Sequence, residues 1–500
     1  MRKLFLVGFA LVAFLLVYKL GYDSVTTDDP HFKNWAYVFM QEFEAGNYDK
    51  LYVTVQPGAL TIYSTIAGYK SFYFLKDRLN FYQQLDPRET DLVLHTFAKV
   101  PKSLLTLGLL AIATHLVYQA FSAKVALLFL VLFGLDPYVL GNSRVIQTDV
   151  LPSYLVFSAT LLFYSTKLKT HTSGLWVYGV LGCILGLSTI EKASSLSVLP
   201  VFVVLALWYE HAMSHKLRAV ALLLSSCLAT MVLLFPAFWG NFGFTLWRLT
   251  VGSFTQGIQG RDAERFTYDL TPHIYPWYFY LRFYYNQLSE VVWLGLIALA
   301  GLAINHKDRV YLTVKRLAPL LVVPLIFFVV HQVAVKKGGR YTLYTIPFIV
   351  LWVSLAYARL ATKKVTFYAL IAAVVCIRAV QFSQIFPDFL VYTNPLSVDH
   401  TYAKSYPSWS TGYPKLATFL LTTYGPHRKV HLGNHQSLRL YYPGKVSNFD
   451  TTDCSDTFDL VVQTTKFSAA SCYTGLLTLN TTYSPYPTVT FYIYTTSRPI

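Results

Sequence analysis

Charged side chains are scarce in this chain of 500 residues. They make up 13% of the sequence, whereas hydrophobic residues make up 54%; soluble proteins usually carry about a quarter charged residues. Acidic residues are the scarcer sign, with 25 Asp and Glu against 41 Lys and Arg. This composition excludes an ordinary soluble protein and predicts an integral membrane protein embedded in the lipid bilayer.

Cysteine is also rare, and its five occurrences contain no C-x-x-C zinc pattern. Cys183, Cys227 and Cys376 lie inside apolar runs, where cysteine is typical of packing. Cys454 and Cys472 lie in a polar C-terminal region, and if that region is outside the cell they either form a disulfide or stay free. A Gly-rich nucleotide loop before a helix and a D-x-D motif are absent too, which disfavours a soluble transferase that uses nucleotide sugars.

Long apolar runs predict a polytopic α-helical protein, because each is close to the roughly 20 residues that cross a bilayer. The first run is longer than the core of a signal peptide and lacks an A-x-A-like cleavage site, so we interpret it as a membrane helix. About eleven transmembrane helices are predicted, at residues 4–20, 103–121, 124–140, 150–166, 174–190, 194–210, 217–238, 288–305, 318–335, 341–358 and 364–385.

The distribution of charge predicts the orientation of these spans. The net charge of +16 does not indicate nucleic-acid binding, because the basic residues form short clusters between apolar runs. With the N-terminus in the cytoplasm, the inside loops hold these clusters and the outside segments hold most acids, as the positive-inside rule requires. The sequence therefore predicts a multi-pass protein of the plasma membrane, with a cytoplasmic N-terminus and an extracytoplasmic C-terminus.

Two long segments are predicted outside the membrane. The first outer loop, residues 21–102, is too long for an idle connection and contains two short amphipathic helices, at 32–43 and 58–74, the second of which is alternatively a poor membrane span. The sequence divides into a transmembrane catalytic domain, 1–385, and a small extracytoplasmic α/β domain, 386–500. The latter is predicted to hold a helix at 413–424 and strands at 429–432, 439–442, 458–463 and 488–494.

The order of several short motifs resembles a known family. D-D-P-H-F follows the first span, then come Q-P-G, K-V-P-K-S-L-L and S-R-V-I-Q-T-D-V-L-P-S-Y. Later in the chain come K-K-G-G-R-Y-T-L-Y-T-I-P, F-L-V-Y-T-N-P-L, L-R-L-Y-Y-P-G-K-V and F-D-L-V-V-Q. Each motif alone is weak, but their order over nearly the whole chain resembles the GT-C glycosyltransferases of the dolichyl-phosphate-mannose protein mannosyltransferase-like group, which includes the lipid A aminoarabinose transferases.

This resemblance implies a GT-C-like fold and a glycosyltransferase of the hexosyl- or mannosyltransferase kind, acting in protein glycosylation or the cell envelope. Such an enzyme moves a sugar from a polyprenyl-phosphate-linked donor to an acceptor hydroxyl of a protein, lipid or glycan on the extracytoplasmic face. The resemblance also implies a single displacement that inverts the anomeric carbon. The family's Asp-Glu pair and His-Pro-Pro motif are here Asp28-Asp29 and Gln56-Pro57-Gly58.

Asp28 and Asp29 are the candidate catalytic residues. An acceptor hydroxyl loses a proton as it attacks, so the reaction needs a positioned carboxylate base, and Asp28 is the candidate. Asp29 would orient the acceptor or join Asp28 in holding a divalent metal ion, which takes oxygen ligands. Both acids also suit the start of a helix with Pro30 in its first turn. His31 beside them is either a ligand of metal or substrate, or an ordinary hydrogen-bonding side chain.

Lys336, Lys337 and Arg340 form a basic cluster that is predicted outside, against the positive-inside rule. Cations there suit a lipid phosphate that leaves with negative charge, because an arginine can fork onto phosphate oxygens. The alternative role is anchoring to anionic lipid headgroups.

Four further charged residues lie at predicted outer ends of spans and are candidates for substrate binding. Arg144 and Asp149 either contact the sugar phosphate or pair with each other. Glu191 and Lys192 either form a structural ion pair or belong to the donor site.

Two other functions stay open at the level of sequence. A secondary transporter would show paired inverted repeats, and the sequence has no such symmetry. A non-catalytic partner in surface-glycan assembly is compatible with the residues, because the acidic pair departs from the family's Asp-Glu.

Overall fold

The computed structural model describes most of the chain. The residues that it describes are 1–23, 25–26, 28–54, 56–79, 87–169, 174–255, 278–305, 317–334, 338–397, 412–432, 438–447, 459–463, 473–483 and 486–496. Lys336, Lys337, Cys454 and Cys472 lie outside these ranges, so the predictions made for them stay predictions.

Helices dominate these residues, as the apolar runs predict. The helices in the part of the chain up to residue 255 are α1 Arg2–Val17, α2 Asp28–Glu44, α3 Ala59–Leu79, α4 Pro87–Ala120, α5 Ala123–Gly134, α6 Pro137–Arg144, α7 Val150–Phe163, α8 Trp176–Glu191, α9 Leu199–Tyr209, α10 Met213–Leu234, α11 Ala237–Gly240 and α12 Phe242–Trp247. Those that follow are α13 Phe279–Gln287, α14 Glu290–Asn305, α15 Ala318–Val333, α16 Ile346–Leu360, α17 Lys364–Ile385 and α18 Tyr413–Tyr424.

Each predicted span overlaps an α-helix, although 124–140 runs across the break between α5 and α6. The number of membrane crossings stays a prediction. Among the described residues, α4, α10 and α17 are long and apolar enough to cross a membrane. Two bent pairs, α5–α6 at 63° and α13–α14 at 112°, raise this number to five if each pair is one span. The helix α3 is 21 residues long but does not reach the same apolarity.

The centre of the helical region is formed by α5 and α7. Almost all residues of both helices are buried around the whole circumference, which explains why their sequences are apolar without a polar face. Beside them, α8 and α10 pack closely because Gly182 faces α10: a Cβ there would overlap the carbonyl oxygen of Leu223. Small residues allow such close approach between membrane helices.

Both helix breaks meet a buried arginine of α17. Asp136 in the first break accepts from the backbone amides of Tyr138 and Val139, at 3.0 and 3.2 Å, and so caps α6. Arg378 is 1% exposed, lies 3.6 Å from Asp136 and donates to Ser289 in the second break at 2.6 Å. Asp136 therefore satisfies backbone amides that the first break frees, and Arg378 links side chains at the two breaks.

The C-terminal region contains a five-stranded sheet. Its strands are β1 Val430–Leu432, β2 Val446–Ser447, β3 Leu460–Gln463, β4 Tyr473–Tyr483 and β5 Tyr486–Thr496, in the order β2-β1-β3-β5-β4. The strand β1 is parallel to β2 and β3, whereas β5 is antiparallel to β3 and β4. The helix α18 covers the predicted residues 413–424, and it buries Leu416 and Leu420 in the core with Val430 and Val462.

One predicted strand of this region is wrong. Residues 439–442 lead from a helical residue through a turn into irregular backbone, because Pro443-Gly444 follows directly and favours a turn. Their aromatic residues serve as anchors instead of strand residues. The Tyr442 hydroxyl donates to the Gly425 carbonyl at 2.8 Å, and the Tyr441 hydroxyl donates to the Asp23 carbonyl, in the first outer loop, at 2.6 Å.

Candidate functional site

Four charged side chains from four separate elements form one connected cluster. Asp28 is the first residue of α2, Asp149 directly precedes α7, Lys192 directly follows α8, and Arg340 lies in the 3-10 turn Gly339–Tyr344. The Arg340 guanidinium donates through Nη1 to Asp28, and its Nε lies 3.3 Å from Oδ2 of Asp149. Lys192 Nζ donates to the other oxygen of Asp149. We call these four residues the charge cluster.

The charge cluster has an open end and a closed end. Asp28 and Arg340 each keep 23% of their side-chain surface exposed, whereas Lys192 keeps 5% and Asp149 keeps 1%. A substrate can therefore reach the Asp28–Arg340 pair first. The Lys192–Asp149 pair lies behind it, and the ring of Tyr341 covers Lys192 at 4.4 Å from its centroid.

Electrostatics favour the charged forms of Asp149 and Arg340 in the charge cluster. Burial alone would raise the pKa of Asp149, but Lys192 and Arg340 beside it hold that pKa below its ordinary value. Burial likewise opposes the charge of Arg340, but Asp28 and Asp149 raise its pKa above the ordinary value. The closed end is thus a fixed carboxylate between two cations, which is suited to orienting them.

Gly339, directly before Arg340, determines the position of the 3-10 turn that carries Arg340. A Cβ at Gly339 would overlap the ring of Phe283 on α13, so only glycine lets the 3-10 turn lie against that helix. Tyr284 of the same helix hydrogen-bonds Thr345 at the end of the turn. The backbone at Gly339 therefore approaches α13 closely, and its partner there is the aromatic ring of Phe283.

Asp29 is separated from Asp28 in both burial and partners, which corrects the expectation of a paired site. It is fully buried. Its Oδ2 accepts from the amide and the hydroxyl of Thr26, both at 2.7 Å, and its Oδ1 accepts from the Ile146 amide at 2.9 Å. Asp29 therefore fixes the loop before α2 against the loop before α7 and is occupied by protein donors.

The same contacts bear on the predicted metal site at Asp28 and Asp29. A divalent cation needs several free oxygen ligands, but Asp29 is fully hydrogen-bonded and Asp28 contacts Arg340. No group of three or more His, Cys, Asp and Glu side chains assembles within the described ranges. His31 is exposed and stacks on Trp35, with ring centroids 5.8 Å apart. These residues do not fit a metal, so no step of the reaction is assigned to one.

Arg144 lies in a different, buried network, which corrects its predicted contact with the donor phosphate. It is 1% exposed, and its Nε donates to Asp23 at 3.0 Å while its other nitrogens donate to backbone carbonyls at the end of α1. Lys99 Nζ donates to the other oxygen of Asp23, also at 3.0 Å. Burial would raise the pKa of Asp23, but Lys99 and Arg144 hold it below its ordinary value.

Neither of the two ion pairs suggested by the sequence forms. Asp149 pairs with Lys192 and Arg340 instead of Arg144. Glu191 is fully buried and accepts from Thr61 of α3, whereas Lys192 turns to Asp149. The backbone changes from helical to extended at Lys192, so the neighbouring side chains face different elements.

Three residues of these networks were not identified from the sequence: Asp23, Lys99 and Tyr341. Lys99 and Lys102, the two lysines of K-V-P-K, could have indicated a buried network. Charged residues at the start of an apolar run need a partner when they are buried. Lys102 donates to the Val145 carbonyl at 2.6 Å. Nothing in the sequence distinguishes Tyr341 as a site residue, because aromatic residues are abundant throughout the chain.

No protein-family model matches the chain, and no curated protein is significantly similar to it in sequence. Solved structures are similar in fold. ArnT from Cupriavidus metallidurans bound to undecaprenyl phosphate is 13% identical, the match covers 87% of this chain and 74% of ArnT, and the TM-score is 0.50. For ArnT in the apo state the identity is 11%, the coverage is 89% and 85%, and the TM-score is 0.51.

The archaeal oligosaccharyltransferase AglB from Archaeoglobus fulgidus, in complex with an inhibitory peptide and a dolichol-phosphate, is 11% identical. The match covers 89% of this chain and 64% of AglB, and its TM-score of 0.47 is too low to bear on the fold. The similarity to ArnT, an aminoarabinose transferase, confirms the resemblance inferred from the sequence at the level of fold: the chain has the fold of the GT-C glycosyltransferases.

Proposed function

We propose that this protein is a membrane glycosyltransferase that moves a sugar, a hexose such as mannose or a related sugar, from a polyprenyl-phosphate-linked donor to an acceptor hydroxyl. The observation that carries the proposal is the charge cluster, because it joins an accessible carboxylate to an accessible guanidinium within a GT-C fold. Fold alone does not establish activity. Asp28 and Arg340 supply the two groups that the reaction needs, a base and a cation for the leaving phosphate.

Asp28 acts as the base. As the acceptor oxygen forms its bond to the anomeric carbon, the hydroxyl proton passes to the Asp28 carboxylate. The bond from the anomeric carbon to the phosphate oxygen breaks in the same step, and its electron pair leaves with the polyprenyl phosphate. Attack opposite to the leaving group inverts the anomeric carbon.

Arg340 and Lys192 bind the phosphate and stabilise the charge that develops on it. An arginine offers several N–H donors in a planar fork that fits phosphate oxygens, and fixed donors at a developing negative charge lower the barrier. Arg340 contacts Asp28 before substrate arrives. Donor binding therefore draws Arg340 away from Asp28 and frees the carboxylate for the acceptor. Lys336 and Lys337 stay candidates for the same phosphate site.

The proposed location rests on the apolar runs and the charge distribution of the sequence. We place the enzyme in the plasma membrane as a multi-pass protein, with its N-terminus in the cytoplasm and the charge cluster at the extracytoplasmic surface. Residues 1–385 form the catalytic domain in this proposal, and residues 386–500 form an extracytoplasmic domain beside the first outer loop. The sugar acceptor is a protein, lipid or glycan that carries a hydroxyl.

The test uses the purified full chain and a panel of labelled polyprenyl-phosphate sugars, with and without EDTA. Wild type and Asp28→Asn are compared for sugar release in the presence of membranes that contain endogenous acceptors. The matched control is Glu44→Gln, which neutralises an exposed acid at the other end of α2. We expect turnover by wild type and by the control, loss in Asp28→Asn, and no effect of EDTA.

Two outcomes would contradict the proposal. An inert wild type across the panel and in native membranes would favour a non-catalytic partner in glycan assembly. Full activity of Asp28→Asn would remove Asp28 as the base.

A further inference from the structure

Glu191 caps α3 from a different helix. The first four amides of a helix have no intrahelical acceptor, and Thr61 is the third residue of α3. Its amide donates to Glu191 Oε2 at 3.0 Å, and its hydroxyl donates to Glu191 Oε1 at 2.5 Å. Both carboxylate oxygens of a fully buried Glu191 are therefore used to hold the start of α3.

The backbone of Glu191 holds the turn that precedes α3. Its carbonyl accepts from the Gly58 amide at 3.0 Å. Gly58 has a φ of +63°, and a Cβ there would lie 2.9 Å from Phe32 and 3.1 Å from Thr148. Phe32 is one turn along α2 from Asp28, and Thr148 precedes Asp149, so Gly58 packs against the segments that carry the two acids of the charge cluster.

The adjacent residues Glu191 and Lys192 thus contact two different elements. Lys192 holds Asp149 from α7, whereas Glu191 holds the turn and α3. The extended backbone at Lys192 directs the two side chains apart. This arrangement fixes the position of the first outer loop relative to Lys192 and Arg340.

We propose that Glu191 is a positioning residue. Its carboxylate fixes the start of α3 and its backbone carbonyl fixes Gly58, so that the first outer loop aligns Asp28 with the phosphate-binding cations. The proposal rests on the function proposed above. It replaces the direct substrate contact predicted for Glu191, because its carboxylate is buried and bound by Thr61.

The test compares Glu191→Gln, Thr61→Val and the double variant with wild type. Thr61→Ser keeps the hydroxyl, and Thr65→Val is the matched control, because Thr65 lies one turn further along α3 and its hydroxyl donates at 2.8 Å to the Thr61 carbonyl. We expect each single variant of the Glu191–Thr61 pair to lower kcat by roughly 10- to 100-fold, as small misplacements of reacting groups do. Binding of polyprenyl phosphate and the melting temperature stay close to wild type. The double variant loses no more than either single one, because both remove the same contact.

A second readout does not depend on activity. Hydrogen exchange in the segment 56–65 is expected to rise in Glu191→Gln and to stay unchanged in Thr65→Val. Unchanged exchange, additive losses, or a parallel fall of kcat, phosphate binding and melting temperature would each overturn the positioning role. If wild type has no transferase activity but exchange rises as expected, the proposed function fails while the anchoring of the loop by Glu191 stands.

Discussion

Arg340 donates directly to Asp28, although 312 positions separate them in the chain. The base proposed for the reaction is therefore bound to the cation proposed for the leaving phosphate. Each neutralises the other before substrate arrives. A negatively charged donor competes with Asp28 for the guanidinium, so donor binding and release of the base are linked.

This link predicts opposite effects of Asp28→Asn on binding and turnover. Loss of the base is expected to lower kcat by about 100- to 10,000-fold. Loss of its negative charge releases Arg340, so the affinity for polyprenyl phosphate is expected to rise by up to about fivefold, the limit for a partly exposed ion pair. Isothermal titration with polyprenyl phosphate and a sugar-release assay measure the two effects. Weaker binding in Asp28→Asn would show that Asp28 does not compete with the phosphate.

Replacement of Arg340 tests the geometry of the phosphate site. Arg340→Lys keeps the positive charge but loses the planar fork, and Arg340→Gln loses the charge as well. We expect binding of polyprenyl phosphate to weaken in the order wild type, lysine, glutamine, with a loss of about 10-fold or more for glutamine, since a charge-assisted hydrogen bond contributes about 1.5–3 kcal/mol. Equal affinity of all three proteins would exclude Arg340 from the site.

Gly339 and its neighbour provide a matched pair of substitutions. A Cβ at Gly339 would overlap Phe283, whereas the nearest atom to a Cβ at Gly338 is 3.5 Å away. Gly339→Ala is therefore expected to displace the turn that carries Arg340 and to weaken phosphate binding by about 10-fold or more, since donor geometry controls such sites. Gly338→Ala stays close to wild type. Gly339→Ala with Phe283→Leu recovers part of the loss, and normal binding by Gly339→Ala alone would contradict the packing argument.

Asp23 is expected to matter for stability. Asp23→Asn removes the counter-charge of buried Arg144 and leaves buried Lys99 with Asp29 at 3.9 Å. Leaving a buried charge without its partner typically costs about 3–5 kcal/mol. Because the pKa of Asp23 is lowered in the folded protein, its contribution is present above the ordinary value of 3.8 and is lost as the pH falls through the folded value. Melting in detergent near pH 7 measures the effect, with exposed Asp49→Asn as the control. An unchanged melting temperature would mean that water reaches these cations.

The sequence was informative where local composition decides the structure. Apolar runs predicted the helices, and the tail helix at 413–424 has the predicted bounds. The partners within the charge cluster were not predictable in this way, because Asp28, Asp149 and Arg340 meet only through the packing of distant elements. Proximity in sequence was misleading for Glu191 and Lys192, since a single extended residue sends their side chains apart.

Strand prediction failed for the same physical reason at residues 439–442. Tyr441 and Tyr442 have strand propensity, but each hydroxyl finds a carbonyl acceptor outside the sheet. Tertiary contacts therefore override a local preference. Asp28 and Asp29 are a further case, because they are the same residue type at adjacent positions. Asp29 is fully buried and makes structural contacts, whereas Asp28 keeps 23% of its side-chain surface exposed.

The hydrogen bond from Tyr441 to Asp23 has a consequence for biosynthesis. Its acceptor emerges from the ribosome among the first residues of the chain, and its donor follows 418 residues later. The loop after the first helix therefore cannot form this contact until translation is nearly complete. A nascent chain truncated before residue 441 carries every residue of the charge cluster but lacks this hydrogen bond to the first outer loop.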